Sequence, residues 1–150
     1  MAKEAVGIKI IAVNKKASFN YFLSDFLECG IALLGTEIKS LRVHGASLVD
    51  SYVVCRGEEM EVINMHINPY DQGNIFNHDP LRNRKLLLHK KEIRWFLDKA
   101  KRGGFTIVPT KIYFKKGKAK LEIALAKGKK LYDKRETIKN RDIEREKKYY

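Results

Sequence analysis

The chain has 150 residues, enough for one domain with a hydrophobic core. Its 31 Lys and Arg outnumber 18 Asp and Glu, and the net charge of +13 attracts polyanions, with nucleic acid the first candidate and an anionic membrane surface the second. No stretch of the sequence approaches the roughly 20 consecutive apolar residues that a membrane-spanning helix needs.

The first third of the chain is predicted to form a strand, a helix and a second strand. The N-terminal stretch MAKEAVGIKIIAVNKK lacks a cleavage site and indicates a strand rather than a signal peptide. The segment SFNYFLSDFLECG, residues 18–30, predicts a helix that Ser18 caps and Gly30 ends. Its apolar residues would share one helical face: Phe22, Leu23, Phe26 and Leu27. Residues 31–43 alternate like a strand, with Gly35 suited to a bulge.

The middle of the chain is predicted to hold two short strands and a long loop. A strand around residues 52–55 is followed by a turn at Gly57. The next strand alternates over residues 63–67, with these side chains inside: Ile63, Met65 and Ile67. The segment NPYDQGNIFNHDPLRNR, residues 68–84, is rich in Pro, Asn and Asp and predicts a loop.

A helix and a β-hairpin are predicted next. The helix stops at Gly103-Gly104, and its apolar residues follow the i, i+3, i+4, i+7 spacing: Ile93, Phe96, Leu97 and Ala100. Two alternating strands joined by KKGK form the hairpin, with inward-facing Val108, Ile112 and Phe114 on the first strand and Leu121, Ile123 and Leu125 on the second.

This order of elements predicts a mainly β fold with flanking helices (α+β). We expect an oligonucleotide-binding-like antiparallel β-barrel, because about six short strands are interspersed with two helices. A parallel βαβ fold is less favoured, since only two of the predicted connections are long enough to hold a crossover helix. Residues 1–128 would form the RNA-binding barrel, and residues 129–150 a flexible basic tail. The tail's sparse apolar residues predict disorder in the free protein and folding on a polyanionic surface.

Patterns typical of catalysis and metal binding are missing from the sequence. The four histidines are scattered, with no helical pair and no neighbouring cysteine, so no zinc site is expected. There is no nucleophile elbow and no P-loop, and the carboxylates show no clustering that a metal-dependent nuclease would need. Cys29 and Cys55 are predicted to be free thiols in a reducing cytoplasm. We therefore expect a protein that is not an enzyme and has no cofactor.

Three basic clusters interleaved with aromatic or apolar residues predict RNA binding, because cations neutralise phosphates and rings stack on unpaired bases. Each cluster alone is equally consistent with a solvated basic face. The candidate residues are Asn14, Lys15, Lys16 and Tyr21 in the first cluster, Arg82, Arg84 and Lys85 in the second, and Lys127, Gly128, Lys129 and Lys130 in the third. The glycine in KGKK would let the backbone approach a phosphate closely.

Four segments that cover nearly the whole chain carry a family resemblance. They are VNKKASFNYF, GIALLGTEIKSLRVHGASLVDSYV, NPYDQGNIFNHDPLRNRKLLLHKKEI and AKGKKLYDKRETIKNRDIERE. In this order they resemble the SsrA-binding proteins (small protein B), bacterial partners of transfer-messenger RNA in the rescue of stalled ribosomes. The resemblance implies an oligonucleotide-binding-type barrel without catalysis or cofactor.

The resemblance also implies which residues bind the tRNA-like domain of transfer-messenger RNA. The matching positions are Tyr21, Glu28, Leu87, Lys127, Gly128, Lys129 and Lys130. The family often has Asn where this chain has His89, and either side chain can donate a hydrogen bond.

For the tail, the resemblance implies a helix inside the ribosome, in the empty mRNA channel near the decoding centre and small-subunit rRNA. The residues expected there are Tyr132, Asp133, Lys134, Arg135, Ile138 and Arg141. The protein would act as a monomer in its RNA complex and away from membranes. The alternatives are a general single-stranded RNA-binding or ribosomal protein on the same barrel and, less favoured, a nuclease.

Overall fold

The computed structural model describes residues 7–71 and 77–129, together with residues 135, 138, 139 and 141. The described strands are β1 (Ile8–Val13), β2 (Tyr21–Ile31), β3 (Ala46–Ser47), β4 (Tyr52–Arg56), β5 (Glu59–Ile63), β6 (His66–Ile67), β7 (Arg84–Leu87), β8 (Thr106–Lys115) and β9 (Lys118–Gly128). The helices bounded within the described ranges are α1 (Lys15–Asn20), α2 (Gly35–His44) and α3 (Lys90–Gly103).

Six strands form a closed antiparallel ring in the order β8-β4-β5-β7-β2-β9, because β9 returns to pair with β8. Strand β1 extends the sheet beside β8, where it pairs with residues 111–115. The predicted barrel of oligonucleotide-binding type is therefore confirmed. Long ladders join β2 to β9 and β8 to β9, whereas two seams are short. Strand β4 meets β8 at Val53 and Ile107, and β2 meets β7 at two pairs, Gly30 with Leu87 and Ile31 with Leu86.

The helix predicted over residues 18–30 is wrong, because most of this segment is strand β2. The ladder with β9 shifts register between Ser24 and Leu27, and Asp25 has a φ of 56°. A bulge adds one residue to the strand and reverses the alternation. Leu27 therefore faces the barrel core, whereas Leu23 lies on the other face of β2, where it packs against the cluster of Ala17, Val108 and Ala126. The i, i+4 spacing in the sequence thus does not place the two leucines on one face. The true helix α1 begins earlier, and Asn14 rather than Ser18 is its N-cap.

The strand predicted over residues 31–43 is also wrong beyond Ile31, because residues 35–44 form helix α2. Gly35 is the first residue of this helix and not a bulge. The helix begins where Glu37 turns back to accept a hydrogen bond from the Leu34 amide, at 2.7 Å. Leu41 packs into the core from the inner face. The apparent alternation came from apolar residues on either side of the helix start, and one of them, Val43, is 66% exposed on α2.

Most of the remaining predicted elements are confirmed. Helix α3 ends at Gly103, β4 occupies its predicted position, and five of the six expected inward residues of the β8–β9 hairpin face the barrel core. Val108 is the exception, because a register shift between Pro109 and Lys111 places it in a second buried cluster and Ile107 faces the core instead. The strand predicted over residues 63–67 is divided, because Asn64 has a φ of 63° and separates β5 from β6. Residues 68–71 and 77–83 are loop as predicted, and Arg84 begins β7.

The core lies inside the ring and under α3. Its fully buried members include Met60, Met65, Ile112, Leu121 and Ile123. Both cysteines are free, with Cys29 buried and Cys55 half-buried. Burial raises the pKa of the Cys29 thiol to about 12, so the thiol is uncharged and unreactive at neutral pH. Among the residues that the structure describes, no helix is long and apolar enough to span a bilayer.

Candidate nucleic-acid interface

Strand β2 connects the candidate RNA-binding residues into two clusters. Tyr21 begins the strand opposite Gly128 of β9, and Glu28 lies seven residues further along. At about 3.3 Å per residue the two positions are separated by at most roughly 23 Å. We call the site near Glu28 the groove, with Glu28, Gly30, Leu87 and His89 as its defining residues. The site near Tyr21 is the corner, defined by Tyr21, Lys127, Gly128 and Lys129.

The groove has a volume of about 740 Å³ and lies between β2, β7 and the start of α3. Leu87 is 53% exposed and offers an apolar surface to a flat ligand. Gly30 faces it across the short β2–β7 seam, and a Cβ on Gly30 would come within 3.1 Å of the Leu87 Cβ. The missing side chain therefore lets the two strands approach, with Leu87 at the surface. His89 is the exposed N-cap residue of α3.

Most of the charged groups around the groove are paired with one another. Glu58 binds Lys90 and Arg94, at 3.2 and 3.0 Å, and Glu59 binds Lys85 at 2.7 Å. The predicted RNA ligand Lys85 is exposed but held in this ion pair. Exposed ion pairs contribute little stability and exchange readily, so Lys85 can turn to a phosphate at small cost.

Glu28 differs from these acids because its partners come from the barrel and meet one oxygen. The buried Tyr113 donates its hydroxyl hydrogen to Oε1 at 2.5 Å, and Lys115 Nζ lies 3.4 Å from the same oxygen. The hydrogen bond from Tyr113, together with the nearby lysines, lowers the pKa of the Glu28 carboxyl. Burial and the bond to Glu28 raise the pKa of Tyr113, so the phenol remains a donor. The site therefore presents an ionised carboxylate on a basic protein.

The corner places cations beside aromatic rings. Lys129 Nζ lies 5.1 Å from the centre of the Phe22 ring, and Lys127 Nζ lies 5.5 Å from that of Phe105. The Lys129 amide donates to the Asn20 carbonyl at 2.9 Å, which fixes the chain beyond β9 against the end of α1. Gly128 is exposed and no atom would meet a Cβ there within 4 Å. The backbone is thus accessible to a phosphate, as the sequence predicts.

Helix α1 supplies exposed lysines but not an accessible asparagine. Lys15 is exposed, and the exposed Lys16 pairs with Asp50 at 2.9 Å. Asn14 is 5% exposed; its amide donates to the Pro109 carbonyl at 2.9 Å and its oxygen accepts from the Ala17 amide at 3.1 Å. The prediction that Asn14 contacts RNA does not agree with this position. The side chain caps α1 and attaches it to β8.

Arg82 and Arg84 are directed to a buried carboxylate rather than to the surface. Glu37 and Arg84 are both fully buried, and Arg84 Nε donates to Glu37 Oε2 at 2.6 Å. Arg82, with 30% of its side chain exposed, donates to both Glu37 oxygens at 2.6 and 2.9 Å. The other guanidinium donors reach backbone carbonyls: Arg84 those of Met65 and Pro80, and Arg82 that of Ala32. The prediction of direct RNA contact is corrected for Arg84, which is inaccessible, and Arg82 is mainly engaged by Glu37.

The tail is described at few positions. Arg135, Ile138 and Arg141 have helical backbone and exposed side chains. The Arg141 guanidinium lies 5.7 Å from the centre of the Phe19 ring on α1. Lys130, Tyr132, Asp133 and Lys134 lie outside the described residues. Disorder of the free tail therefore stays a prediction.

Comparison with known proteins decides the family. Residues 11–150 match the family model described as SmpB protein, which is nearly the whole chain. The chain belongs to the SmpB family. Relatives of this SmpB chain include the SsrA-binding proteins of Fervidobacterium nodosum and Caldanaerobacter subterraneus subsp. tengcongensis. The first is 55% identical, and the match covers 95% of this chain and 97% of the relative. The second is 53% identical, and the match covers 97% of this chain and 92% of the relative.

A solved structure agrees with this assignment. The SmpB chain is similar to a chain from a structure described as "tmRNA-SmpB: a journey to the center of the bacterial ribosome", with a TM-score of 0.69 and 43% sequence identity. The match covers 82% of this chain and 87% of the other. At that identity the likeness extends beyond the barrel fold to the sequence that forms it.

The sequence prediction missed several residues of this candidate interface. Tyr113 and Lys115 of β8 and Lys120 of β9 surround Glu28 or line its groove. Their register could have been found, because the KKGK turn places Tyr113 opposite Lys120. The contact between Tyr113 and Glu28 could not have been found from the sequence, because it depends on β2 being a strand that pairs with the other edge of β9. Glu37 likewise gave no signal, since a buried acid has no periodicity of its own.

Proposed function

We propose that this chain is a non-catalytic RNA-binding adaptor of bacterial trans-translation. It binds the tRNA-like domain of transfer-messenger RNA and brings that RNA to stalled ribosomes. The observation that carries the proposal is the match of residues 11–150 to the SmpB family, with relatives named SsrA-binding protein along nearly their full length. In this proposal the protein is a cytoplasmic monomer in its RNA complex and uses no cofactor or metal.

The separation of groove and corner supports a folded RNA as the ligand. A single nucleotide cannot occupy two sites up to roughly 23 Å apart. At the corner, lysines beside rings suit phosphates and stacked bases, whereas the groove offers an apolar surface and a carboxylate suited to a base edge. Phosphate contacts at one cluster would position the RNA, and contacts at the other would discriminate among RNAs.

The tail would act on the ribosome rather than on transfer-messenger RNA. We propose that residues 132–150 enter the vacant mRNA channel and become helical there, with Tyr132 stacked on a ribosomal base near the decoding centre. The helical backbone at Arg135, Ile138 and Arg141 supports the capacity of this segment to form a helix. A channel that still holds mRNA would exclude the tail, so a stalled ribosome would be selected.

A competition experiment tests the RNA specificity. Purified protein is bound to a fluorescent transcript of the tRNA-like domain and challenged with unlabelled transcript, an elongator tRNA or an unstructured RNA. We expect the unlabelled transcript to compete best, and the affinity to fall steeply as salt rises. Equal competition by all RNAs would favour a general single-stranded RNA-binding protein. Cleavage of the labelled RNA with added Mg²⁺ would instead reveal a nuclease.

A deletion tests the tail. Removing residues 132–150 should leave affinity for the tRNA-like domain nearly unchanged and abolish tagging of the nascent chain in a reconstituted stalled-ribosome assay. Replacing the same residues with a Gly/Ser segment of equal length is the matched control for chain length. If either variant still supports tagging, the tail has no active part.

A further inference from the structure

Glu28 is the unexpected group in the groove, because a carboxylate repels the phosphates that a protein of charge +13 attracts. Its side chain is 36% exposed, and both hydrogen-bonding partners, Tyr113 and Lys115, approach Oε1. Within the described part of the chain, no hydrogen bond to Oε2 accompanies them. One oxygen is therefore held by the barrel, and the other can accept a hydrogen bond from a ligand.

The position of Tyr113 explains how the carboxylate is held. Tyr113 belongs to β8 and Glu28 to β2, and β9 lies between these strands in the ring. The tyrosine hydroxyl thus reaches over β9 to the far strand. Its residue is 5% exposed, so the ring cannot rotate freely and the hydroxyl has a fixed place. A buried ring that donates to a surface carboxylate sets the direction of that carboxylate.

We propose that Tyr113 is a positioning residue for RNA recognition: it fixes Glu28 so that Oε2 accepts a hydrogen bond from an N–H or O–H donor of a nucleotide in the groove. The donor is a base amino or imino group or a ribose hydroxyl, since phosphate has none to offer. Leu87 would pack against the nucleotide, and Lys85 and Lys120, which also line the groove, would attract its phosphates. This inference rests on the proposed binding of the tRNA-like domain.

The test compares two buried hydroxyls of the same strand. Tyr113→Phe removes the bond to Glu28, and Thr110→Val removes the bonds from Thr110 to the carboxylate and carbonyl of Glu122, at 2.7 and 3.2 Å. Glu122 lies opposite Glu28 on β9 but does not line the groove. Affinity of the full chain for a transcript of the tRNA-like domain is measured for both. We expect Tyr113→Phe to weaken binding about 3- to 10-fold, because a charged acceptor loses its orientation, and Thr110→Val to change it less than about twofold.

A double-mutant cycle separates positioning from general support of the fold. In a Glu28→Ala background, Tyr113→Phe should weaken binding less than about twofold, because the group it positions is gone. An equal loss in both backgrounds, or no loss in the wild-type background, would overturn the proposal. If wild-type protein shows no preference for the tRNA-like RNA, the proposed function fails instead, so the two failures are distinguishable.

The carboxyl titration is a second readout in the free protein. By NMR, the pKa of Glu28 should rise in Tyr113→Phe and change less in Thr110→Val, which removes no hydrogen bond to Glu28. An unchanged value in Tyr113→Phe would contradict the positioning role. The other titratable groups that face or line this site, among the residues that the structure describes, are Lys115 on β8, Lys120 and Glu122 on β9, Lys85 on β7, Glu58 and Glu59 at the start of β5, and His89, Lys90 and Glu92 at the start of α3. All of them are retained in both variants.

Analogue interference identifies the donor. Transcripts with inosine in place of some guanosines, purine riboside in place of some adenosines, or scattered 2′-deoxynucleotides are selected by wild-type and Glu28→Ala proteins. The informative positions are those at which an analogue weakens binding to the wild-type protein but not to Glu28→Ala. If inosine or purine riboside has this effect, the donor is a base amine. If a 2′-deoxynucleotide has it, the donor is a ribose hydroxyl. Identical interference patterns for the two proteins would exclude a purine amine and a ribose hydroxyl as the donor, and together with a double-mutant cycle that shows no coupling they would overturn the contact.

Discussion

Glu37 and Glu28 show two uses of a carboxylate in one small basic protein. Glu37 is fully buried, and both of its oxygens accept hydrogen bonds from Arg82, Arg84 or the Leu34 amide. Glu28 is at the surface, and its bonded partners meet one oxygen. A carboxylate whose two oxygens both accept hydrogen bonds within the protein stabilises the fold, while one with a single bonded oxygen remains available to a ligand. Burial and bonding, rather than residue type, separate the two roles.

The same comparison applies to the positive charges. Arg82 and Arg84 stand beside Lys85 in the sequence and look like one basic cluster. In the structure the two arginines are bound by Glu37, whereas Lys85 is in an exposed pair at the groove. A cluster of cations in a sequence is therefore not evidence for a cluster on the surface.

The largest expected effect is on stability at the buried carboxylate. Glu37→Ala leaves Arg84 buried without its counter-ion, and we expect a loss of about 3–5 kcal/mol in the free energy of unfolding. Urea denaturation measures it. Glu28→Ala is the comparison and should lose less, about 1–2 kcal/mol, because it leaves the Tyr113 hydroxyl without its partner but buries no unpaired charge. Similar losses for the two variants would break the comparison.

The next largest effect is on RNA affinity, and it differs between surface lysines and an arginine held by Glu37. Replacing Lys129 and Lys130 with Ala should weaken binding about tenfold and reduce the slope of log affinity against log salt by about 1.5. Arg82→Ala should instead lower stability by about 1–3 kcal/mol and leave affinity nearly unchanged at a temperature where the variant is folded. Anisotropy titrations over a salt series test both. An affinity loss in Arg82→Ala with an altered salt slope would restore that residue to the interface.

The smallest effect is a pH dependence of stability. Burial raises the pKa of Glu37, but the hydrogen bonds from Arg82, Leu34 and Arg84 outweigh it, so the folded pKa lies below the ordinary value. A lowered folded pKa contributes stability that is complete above the unfolded pKa, about 4.3, and is lost as pH falls through the folded pKa. Urea midpoints from pH 7 to 3 should therefore fall less in Glu37→Gln than in wild type. Parallel curves would show that Glu37 does not contribute to acid sensitivity.

Local pattern predicted α3, the barrel class and most of the hairpin, since α3 and β9 keep one period and end at clear Gly signals. It failed at residues 18–44, where a bulge at Asp25 and a buried acid at Glu37 change the period. Both errors have the same cause: the deciding contacts join residues far apart in the chain. Glu37, for example, meets Arg84 across 47 positions.

The site could be predicted in part. Glu28, Leu87 and His89 came from family resemblance, and Tyr21 and residues 127–130 came from both the charge pattern and the resemblance. The described ones fall into two surface clusters. Asn14 and Arg84 were chosen from polarity and charge, and the structure buries both. Polarity cannot distinguish a group that contacts RNA from one that satisfies a buried carbonyl or carboxylate, because that distinction depends on the folded neighbours.

The short seam between β2 and β7 affects how often the barrel opens locally. With two registered pairs, Gly30 with Leu87 and Ile31 with Leu86, it should open transiently more often than the long ladders, so its amides should exchange with deuterium sooner. The groove straddles this seam. RNA bound there would contact both strands and hold them together. Protection of the Leu86 and Leu87 amides from deuterium exchange should therefore rise on binding more than protection along β9.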